Sequence, residues 1–511
     1  MEAGPSNETP LSKGTAAALY HKLERRAYRD GLLTPPPISS SSSSSNSSSI
    51  TGTSSSSSPT KVLTFFDWLK DEATSGYGLE WKRTARTTHH VVNFLSVPFR
   101  LEPFLSYGTF LCLDLFLFHI TYLPHRFLVA LLALIQTLFS WGCSQTFGWR
   151  SRPQITRAHA YDLLKGLIII VAVSVLGLVQ VSRVYHYIRG EAIIKLYVVV
   201  SILEVLDQLF CSLGVDVMDA LYRTTRDHLS LPGLVAANSA TSSGSGTESP
   251  ATEMNVTFSD ASITVDPFAA ALRLAFHFVV AVGYTLAHAM VLFVQVVCLN
   301  VAINGRNNAL LTLLVSNNFV ELKGSVFKRF EAENLFQVSC ADTVERFQLV
   351  LFLFLISLQE GLSSGGEPGT LLALCPSFVA IFLCEVLVDL IKHSFISKFN
   401  RLHADLYKTF SAIISQDLLS ARQRNKTSLD PTHTCAKRLG LATLPFTVLC
   451  TRMVMTLVDV TALTRINTVS GVATVILSVL CLFAAKALIS LLLQVKAATV
   501  IVAMKEESLK E

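Results

Sequence analysis

The sequence is poor in charged residues. Asp, Glu, Lys and Arg make up 15% of its 511 residues, whereas a soluble globular domain carries about 25%. Hydrophobic residues make up 50%, and the mean hydropathy is +0.47. This composition excludes an ordinary soluble protein and indicates a chain that is embedded in a membrane.

Several recognised active-site motifs are also missing. The sequence contains no H-E-x-x-H zinc motif, no P-loop and no glycine fingerprint for dinucleotides. Its ten cysteines show no C-x-x-C spacing, so neither a disulfide framework nor a structural zinc site is expected. No apolar core of a signal peptide is evident near the start. We therefore expect no enzyme, no cofactor, no metal site, no cleaved signal peptide and no nucleic-acid partner.

Long apolar runs dominate the rest. A helix that crosses a bilayer needs about 17 to 25 residues, and aliphatic residues and Phe favour helices over barrel strands. The runs lie near residues 104–122, 125–142, 163–187, 268–299, 345–361, 370–391, 441–465 and 468–494. They predict an all-α, polytopic membrane protein in the lipid bilayer, with about eight spans and additional interfacial amphipathic helices.

Lys and Arg in the short flanks predict the orientation of these spans, because such residues accumulate in cytosolic loops. They place both termini and the loops 300–346 and 392–440 in the cytosol, and the cation-poor segment 188–267 in the lumen. Residues 195–222 are apolar enough for a ninth span, but Ser201, Glu204, Gln208 and Cys211 form a polar stripe. A ninth span would also reverse the downstream loops. We therefore predict an amphipathic helix on the luminal surface.

The flanking regions differ in character. Residues 1–60 include a Ser tract that has little to bury and predict a disordered tail. Residues 61–100 predict either an amphipathic segment on the cytosolic membrane face or a solvated helix packed on the cytosolic loops. The membrane domain then covers 101–495, and 496–511 forms a short cytosolic tail. Asn255 begins an N-x-T sequon in the luminal segment and is a glycosylation candidate.

Ionisable groups inside spans suggest function, because burying them in a membrane is costly. Glu385, Asp389 and His393 are spaced four residues apart and share one helical face. They would suit a proton relay or a divalent cation, or they would pair locally near the cytosolic end. Asp114 and Lys486 would neutralise each other if their helices touch. His288 is expected to form interhelical hydrogen bonds.

The stretch "NVAINGRNNALLTLLVSNNFVELKGSVFKRF", residues 300–330, is rich in Asn. Apolar residues recur in it at three- and four-residue steps, which predicts one or two cytosolic amphipathic helices. Asn308, Asn318, Glu321 and Lys323 would shape this surface. The amides would satisfy polar groups where the chain leaves the membrane, or they would form a polar ligand pocket.

The same stretch resembles the transmembrane anterior posterior transformation (Tapt) family. Further similar segments follow the family order, including "FFDWLKDEATSGYGLE", "LCLDLFLFHITYLPHRFLVAL", "YHYIRGEAIIKLYVVVSILEVLDQLFCSLGVDVMDAL" and "EVLVDLIKHSFISKFN". Together they extend from about residue 62 to residue 495.

The resemblance implies a protein of the endoplasmic reticulum that acts in protein folding and quality control. It also implies a complex with a membrane glycoprotein that bears a luminal SUN-like domain. It supplies no catalytic residue. We therefore predict a membrane scaffold whose luminal contact uses Glu204, Asp207 and Asp219. The alternatives are an ion or proton path through Glu385, Asp389 and His393, and lipid handling by the interfacial helices.

Overall fold

The computed structural model describes residues 81–147, 157–191, 193–228, 267–304, 309–363, 368–423, 433–461 and 469–510. Every regular element in these ranges is an α-helix, which confirms the predicted all-α fold class. In chain order the helices are α1 (Trp81–Phe147), α2 (Arg157–Gly177), α3 (Val181–Gly190), α4 (Ile193–His228), α5 (Pro267–Ile303), α6 (Ala309–Val326), α7 (Ala332–Ser363), α8 (Pro368–Asn400), α9 (Leu406–Gln423), α10 (His433–Leu439), α11 (Thr443–Thr461) and α12 (Val469–Lys510).

Proline marks where two of the long helices begin. Pro267 is the first residue of α5, and Pro368 is the first residue of α8. Proline suits this position because the first helical N–H has no partner inside the helix. Pro98, Pro103 and Pro124 instead lie within α1, and the helix continues through all three.

Six helices of the described ranges are long and apolar enough to cross a membrane, or seven if the bent pair α10 and α11 counts as one span. The six segments are His90–Thr137, Ala158–Gly177, Lys195–Arg226, Phe268–Ile303, Leu372–Asn400 and Ile476–Glu507. The polytopic architecture is therefore confirmed. Two predicted spans, 104–122 and 125–142, lie in the single helix α1, and the predicted span 345–361 lies in α7, which is not among the six.

Helix α4 contains residues 195–222, which the sequence predicts as an amphipathic helix on the luminal surface. It is one of the six candidate spans and packs along α5. Asp207 contacts His288, while Gly214 lies against Tyr284 further along the pair, so the two helices are antiparallel. One residue of the polar stripe contacts another helix: Gln208 donates to Glu345 of α7 at 3.4 Å. A polar residue that bonds to another helix needs no contact with water, so α4 meets the length and composition of a span.

One contact in the structure also conflicts with the predicted locations of two residues on opposite sides of the membrane. Asp219 of α4 forms ion pairs with Lys437 and with His433 of α10, the latter at 2.7 Å. The distribution of Lys and Arg predicts that Asp219 lies in the lumen and Lys437 in the cytosol. Since the two side chains touch, these two assignments cannot both hold.

The segments that flank the predicted membrane domain on both sides are parts of long helices. Residues 81–100 form the beginning of α1, and Val97 in this part is fully buried. Asn93 donates to the carbonyl of Leu402 and accepts from the backbone N–H of Ala404, so it fastens α1 to the turn between α8 and α9. The predicted tail 496–511 continues α12 to Lys510. The predicted disordered tail 1–60 and Asn255 lie outside the described residues.

The turn between α10 and α11 depends on Gly440. Its φ is +74°, a left-handed conformation that glycine adopts without strain. The N–H of Leu441 then bonds to the carbonyl of Ala436 at 3.0 Å, which closes the end of α10. The two helices meet here at 96°.

The hypothesis of an Asp114–Lys486 contact is confirmed. Lys486 of α12 donates to Asp114 of α1, and both side chains are 5% exposed. The pair joins α1 to α12 through two residues that are 372 positions apart in the sequence. An ammonium group is thereby neutralised within the apolar bundle, where an isolated charge is costly.

Gly166 permits a close approach of α2 to α1. A Cβ atom at this position would lie 2.1 Å from the ring of Phe127. We expect Gly166→Ala to lower the free energy of unfolding by about 1–3 kcal/mol, because the ring and the helix must move apart. Gly283→Ala in α5 is the matched control, since nothing lies within 4 Å of its Cβ position. Thermal unfolding of both variants in mild detergent checks this; equal stability would contradict it.

Candidate functional site

A network of charged side chains with two buried cations joins α1, α6, α7, α8 and α9. Its first centre is Arg346 of α7, whose side chain is 3% exposed. Its Nε donates to Asp389 of α8 at 2.8 Å, and its Nη1 donates to both carboxylate oxygens of Glu102 of α1 at 2.9 and 3.0 Å. One guanidinium group therefore binds two helices at once, with the directional geometry that favours Arg in such pairs.

The second centre is Lys392 of α8, whose side chain is 1% exposed. Its Nζ lies 2.8 Å from Asp342 of α7, 2.9 Å from Glu321 of α6 and 3.5 Å from Asp389. The ammonium group donates hydrogen bonds to Asp342 and Glu321, and Asp389 adds an ion pair. Lys392 thus joins α6 and α7 to α8.

His393 follows Lys392 and extends the network to α9. Its Nε2 lies 2.6 Å from the Asp342 carboxylate, and its Nδ1 lies 2.9 Å from the Tyr407 hydroxyl. Because a carboxylate only accepts, Nε2 donates its proton to Asp342. Burial acts to raise the pKa of Asp342, but Lys392 and His393 outweigh it and hold that pKa below its usual range.

Carboxylates outnumber cations around Lys392. Oxygens of Glu321, Asp342 and Glu345 lie within 4.8 Å of one another, a spacing that could hold a metal ion. Lys392 contacts Glu321 and Asp342 of this set, so its ammonium group takes the position of such a cation.

The helical face of α8 that carries Glu385, Asp389 and His393 lies partly in this network. Asp389 and His393 are buried members of it, and Glu385 is half-buried one turn away. Arg346 and Asp342 are not among the predicted site residues, because Asp342 precedes the apolar run 345–361 and Arg346 lies at its very beginning. The four-residue spacing of Asp342 and Arg346 was the available signal, since it places them on one helical face.

The residues predicted for partner contact are dispersed. Glu321 joins the network, and Lys323 is exposed on α6. Asp207 and Asp219 bind side chains of the bundle, and Glu204 is half-buried. Asn318 lies in α6, with its side chain outside the described part, and Asn308 lies outside the described residues.

The Asn-rich stretch contributes a polar contact between helix ends. Asn304, after α5, donates to the carbonyl oxygen of the Asn300 side chain at 2.6 Å and to Glu360 of α7 at 2.8 Å. Asn300 in turn donates to Gln359 at 3.3 Å. These two amides therefore fasten the end of α5 to the end of α7, which agrees with the structural interpretation of the stretch.

Comparisons with known proteins give a consistent result. A family described as "Eukaryotic membrane protein family" matches residues 155–502. The "Protein TAPT1 homolog" of Dictyostelium discoideum is 39% identical over 375 residues, which are 72% of this chain and 41% of that protein. The "Transmembrane anterior posterior transformation protein 1 homolog" of Homo sapiens is 37% identical over 400 residues, 78% of this chain and 63% of that protein.

A relative from Drosophila melanogaster, "Protein TAPT1 homolog", is 33% identical over 400 residues, covering 78% of this chain and 53% of that protein. The chain therefore spans about half the length of these relatives. Their names are not those of enzymes. No solved structure matches the chain.

Proposed function

Because the chain belongs to the eukaryotic membrane protein family of the TAPT1 homologues, we propose that it is a multi-pass membrane scaffold that holds a partner protein. The observation that carries this proposal is the pairing of the buried cations. Arg346 and Lys392 each bind two or more carboxylates from different helices. Such contacts hold helices in a fixed arrangement, whereas conduction requires sites that an ion can both enter and leave.

The finer proposal concerns place and partner. We propose that the protein resides in the membrane of the endoplasmic reticulum with both termini in the cytosol. Its partner would be a membrane glycoprotein with a luminal SUN-like domain, and the complex would support protein folding and quality control. The similarity to the Tapt family over residues 62–495 supports this.

The luminal contact is proposed for residues 229–266, the segment between α4 and α5. Asp207 and Asp219, which were the first choice for this contact, bind His288 and Lys437 instead. Reversing their charge would disturb the fold and would not report on a partner. The segment 229–266 is polar and contains Asn255, so it can be replaced without removing a described helix.

The test is purification of the tagged full chain from native membranes in mild detergent, with quantitative mass spectrometry of the eluate. We expect one luminal glycoprotein in near-stoichiometric amount. It should be lost when a Gly-Ser linker replaces 229–266, and it should be retained with the control Lys323→Ser. Equal recovery with both variants would refute the proposed contact, and a homo-oligomer without a partner would refute the scaffold.

An ion or proton path through Glu385, Asp389 and His393 is the second candidate. The excess of carboxylates around Lys392 favours it. The scaffold proposal predicts that proteoliposomes show no more flux under an imposed ion or proton gradient than protein-free liposomes. Flux that falls in the Glu385→Gln variant would instead establish the path.

A further inference from the structure

A second polar cluster lies between α4 and α5, separate from the charge network. Asp207 and Cys211 are four residues apart on α4, and His288 approaches them from α5. The His288 side chain is fully buried. Its Nε2 lies 2.7 Å from Asp207, and the Cys211 sulfur lies 4.0 Å from the same carboxylate oxygen. All three candidate ligand atoms lie within 4.8 Å of one another.

We propose that Asp207, Cys211 and His288 bind a zinc ion that joins α4 to α5. A carboxylate oxygen, a thiolate sulfur and an imidazole nitrogen are the three donor types that proteins use for zinc. Ligand atoms around tetrahedral zinc lie about 3.3 to 3.8 Å apart, given its bond lengths of about 2.0 to 2.3 Å. The ion would replace the proton between His288 and Asp207 and move these atoms by less than about 1 Å.

Charge balance favours a divalent cation here. An Asp carboxylate and a Cys thiolate together carry two negative charges, which a zinc ion neutralises. Both ligands lie in a candidate span, where an uncompensated charge is expensive. The carboxylate set around Lys392 differs, because the ammonium group already contacts two of its members and takes the position of a metal ion.

Neighbouring side chains hold the ligands in position. The Tyr284 hydroxyl lies 3.1 Å from Nδ1 of His288, so it orients the ring with Nε2 toward Asp207. Gln348 donates to the other carboxylate oxygen of Asp207 at 2.9 Å, which leaves the first oxygen directed at His288 and Cys211. Such outer contacts accompany most metal-binding histidines and carboxylates.

Tyr284 reaches His288 because α4 carries glycine at position 214. A Cβ atom there would lie 1.9 Å from the Tyr284 hydroxyl oxygen. Because Gly214 has no side chain, the Tyr284 phenol can lie against the backbone of α4 close to the proposed ligands. In this position its hydroxyl bonds to His288.

The cluster borders a cavity of about 60 Å³. Cys211, Gly214 and Tyr284 line one part of it, and His433 and Lys437 of α10 line another. This volume exceeds the space that one water molecule needs, about 10–15 Å³. The cavity therefore has room for water beside Cys211, on the side of the cluster that faces α10.

The experiment uses the full chain, purified in detergent through a tag without histidine and stripped with a chelator. Zinc chloride is titrated, and cobalt chloride serves as the spectroscopic probe. We expect one zinc ion per chain and a thiolate-to-cobalt charge-transfer band. Cys211→Ser should abolish the band, whereas Cys298→Ser, a change at a buried cysteine of α5, should keep it.

Tyr284→Phe tests the outer contact and should weaken zinc affinity about 10- to 100-fold. X-ray absorption at the zinc edge of the unmodified chain should show one sulfur ligand among nitrogen and oxygen ligands, which needs no variant to fold. Absence of stoichiometric binding, a zinc site without sulfur, or a charge-transfer band that survives Cys211→Ser would each overturn the proposal.

Discussion

Replacing Lys392 with Met is expected to lower the free energy of unfolding by about 3–5 kcal/mol, the usual cost of removing one partner from a buried ion pair. The ammonium group lies within 3.5 Å of Asp342, Asp389 and Glu321. Met fills a similar volume but leaves these carboxylates close together without a cation between them. Like charges in a site of low dielectric repel strongly.

Thermal unfolding in mild detergent, followed by the fraction that stays monodisperse, measures this effect. Lys323→Met is the matched control, because Lys323 is an exposed lysine of α6. A double variant, Lys392→Met with Asp342→Asn, should recover part of the loss, since it also removes one of the facing charges. Wild-type stability of Lys392→Met would show that the network does not hold α6, α7 and α8 together.

Asp114→Leu should cause a loss of similar size, about 3–5 kcal/mol, at the contact between α1 and α12. The substitution removes the carboxylate that neutralises Lys486, whose side chain is 5% exposed. Lys486→Met should also destabilise, because Asp114 would keep its charge in an apolar environment. The double variant should approach the wild type, since apolar side chains often replace a complete buried ion pair without loss.

A double-mutant cycle on purified protein gives the interaction free energy of this pair. Phe118→Leu, a change on the same helix that leaves both charges in place, serves as the control for altered packing. If the effects of Asp114→Leu and Lys486→Met simply add, the two residues are not coupled and the contact is unimportant for stability.

Local sequence patterns predicted a large part of the fold. Composition and run length gave the all-α membrane architecture, because lipid forces each spanning backbone to satisfy its own hydrogen bonds. Four-residue spacing placed Asp389 and His393 on one face of α8, and both are buried there. Neutralisation of charge suggested the Asp114–Lys486 pair. Each of these inferences needs only the properties of one segment or of two opposite charges.

The remaining features depend on which helices meet, and local patterns do not contain this information. The polar stripe of α4 predicts a water-facing surface, but Gln208 of this stripe donates to Glu345 of another helix. Arg346 binds Glu102 across 244 residues of sequence. The cluster of Asp207, Cys211 and His288 has no metal-binding spacing, because its ligands come from two helices. Periodicity identifies the polar face of a helix, but it does not identify which helix packs against that face.

The length of α1 has a mechanical consequence. Its 67 residues would span about 100 Å at 1.5 Å per residue, far more than the roughly 30 Å of a bilayer core. Asn93 attaches it to the turn between α8 and α9, Glu102 attaches it to α7, and Asp114 attaches it to α12. A helix held at three points along its length cannot shift without moving the elements bound to it. A displacement of the beginning of α1 would therefore be passed on to α7 and α12.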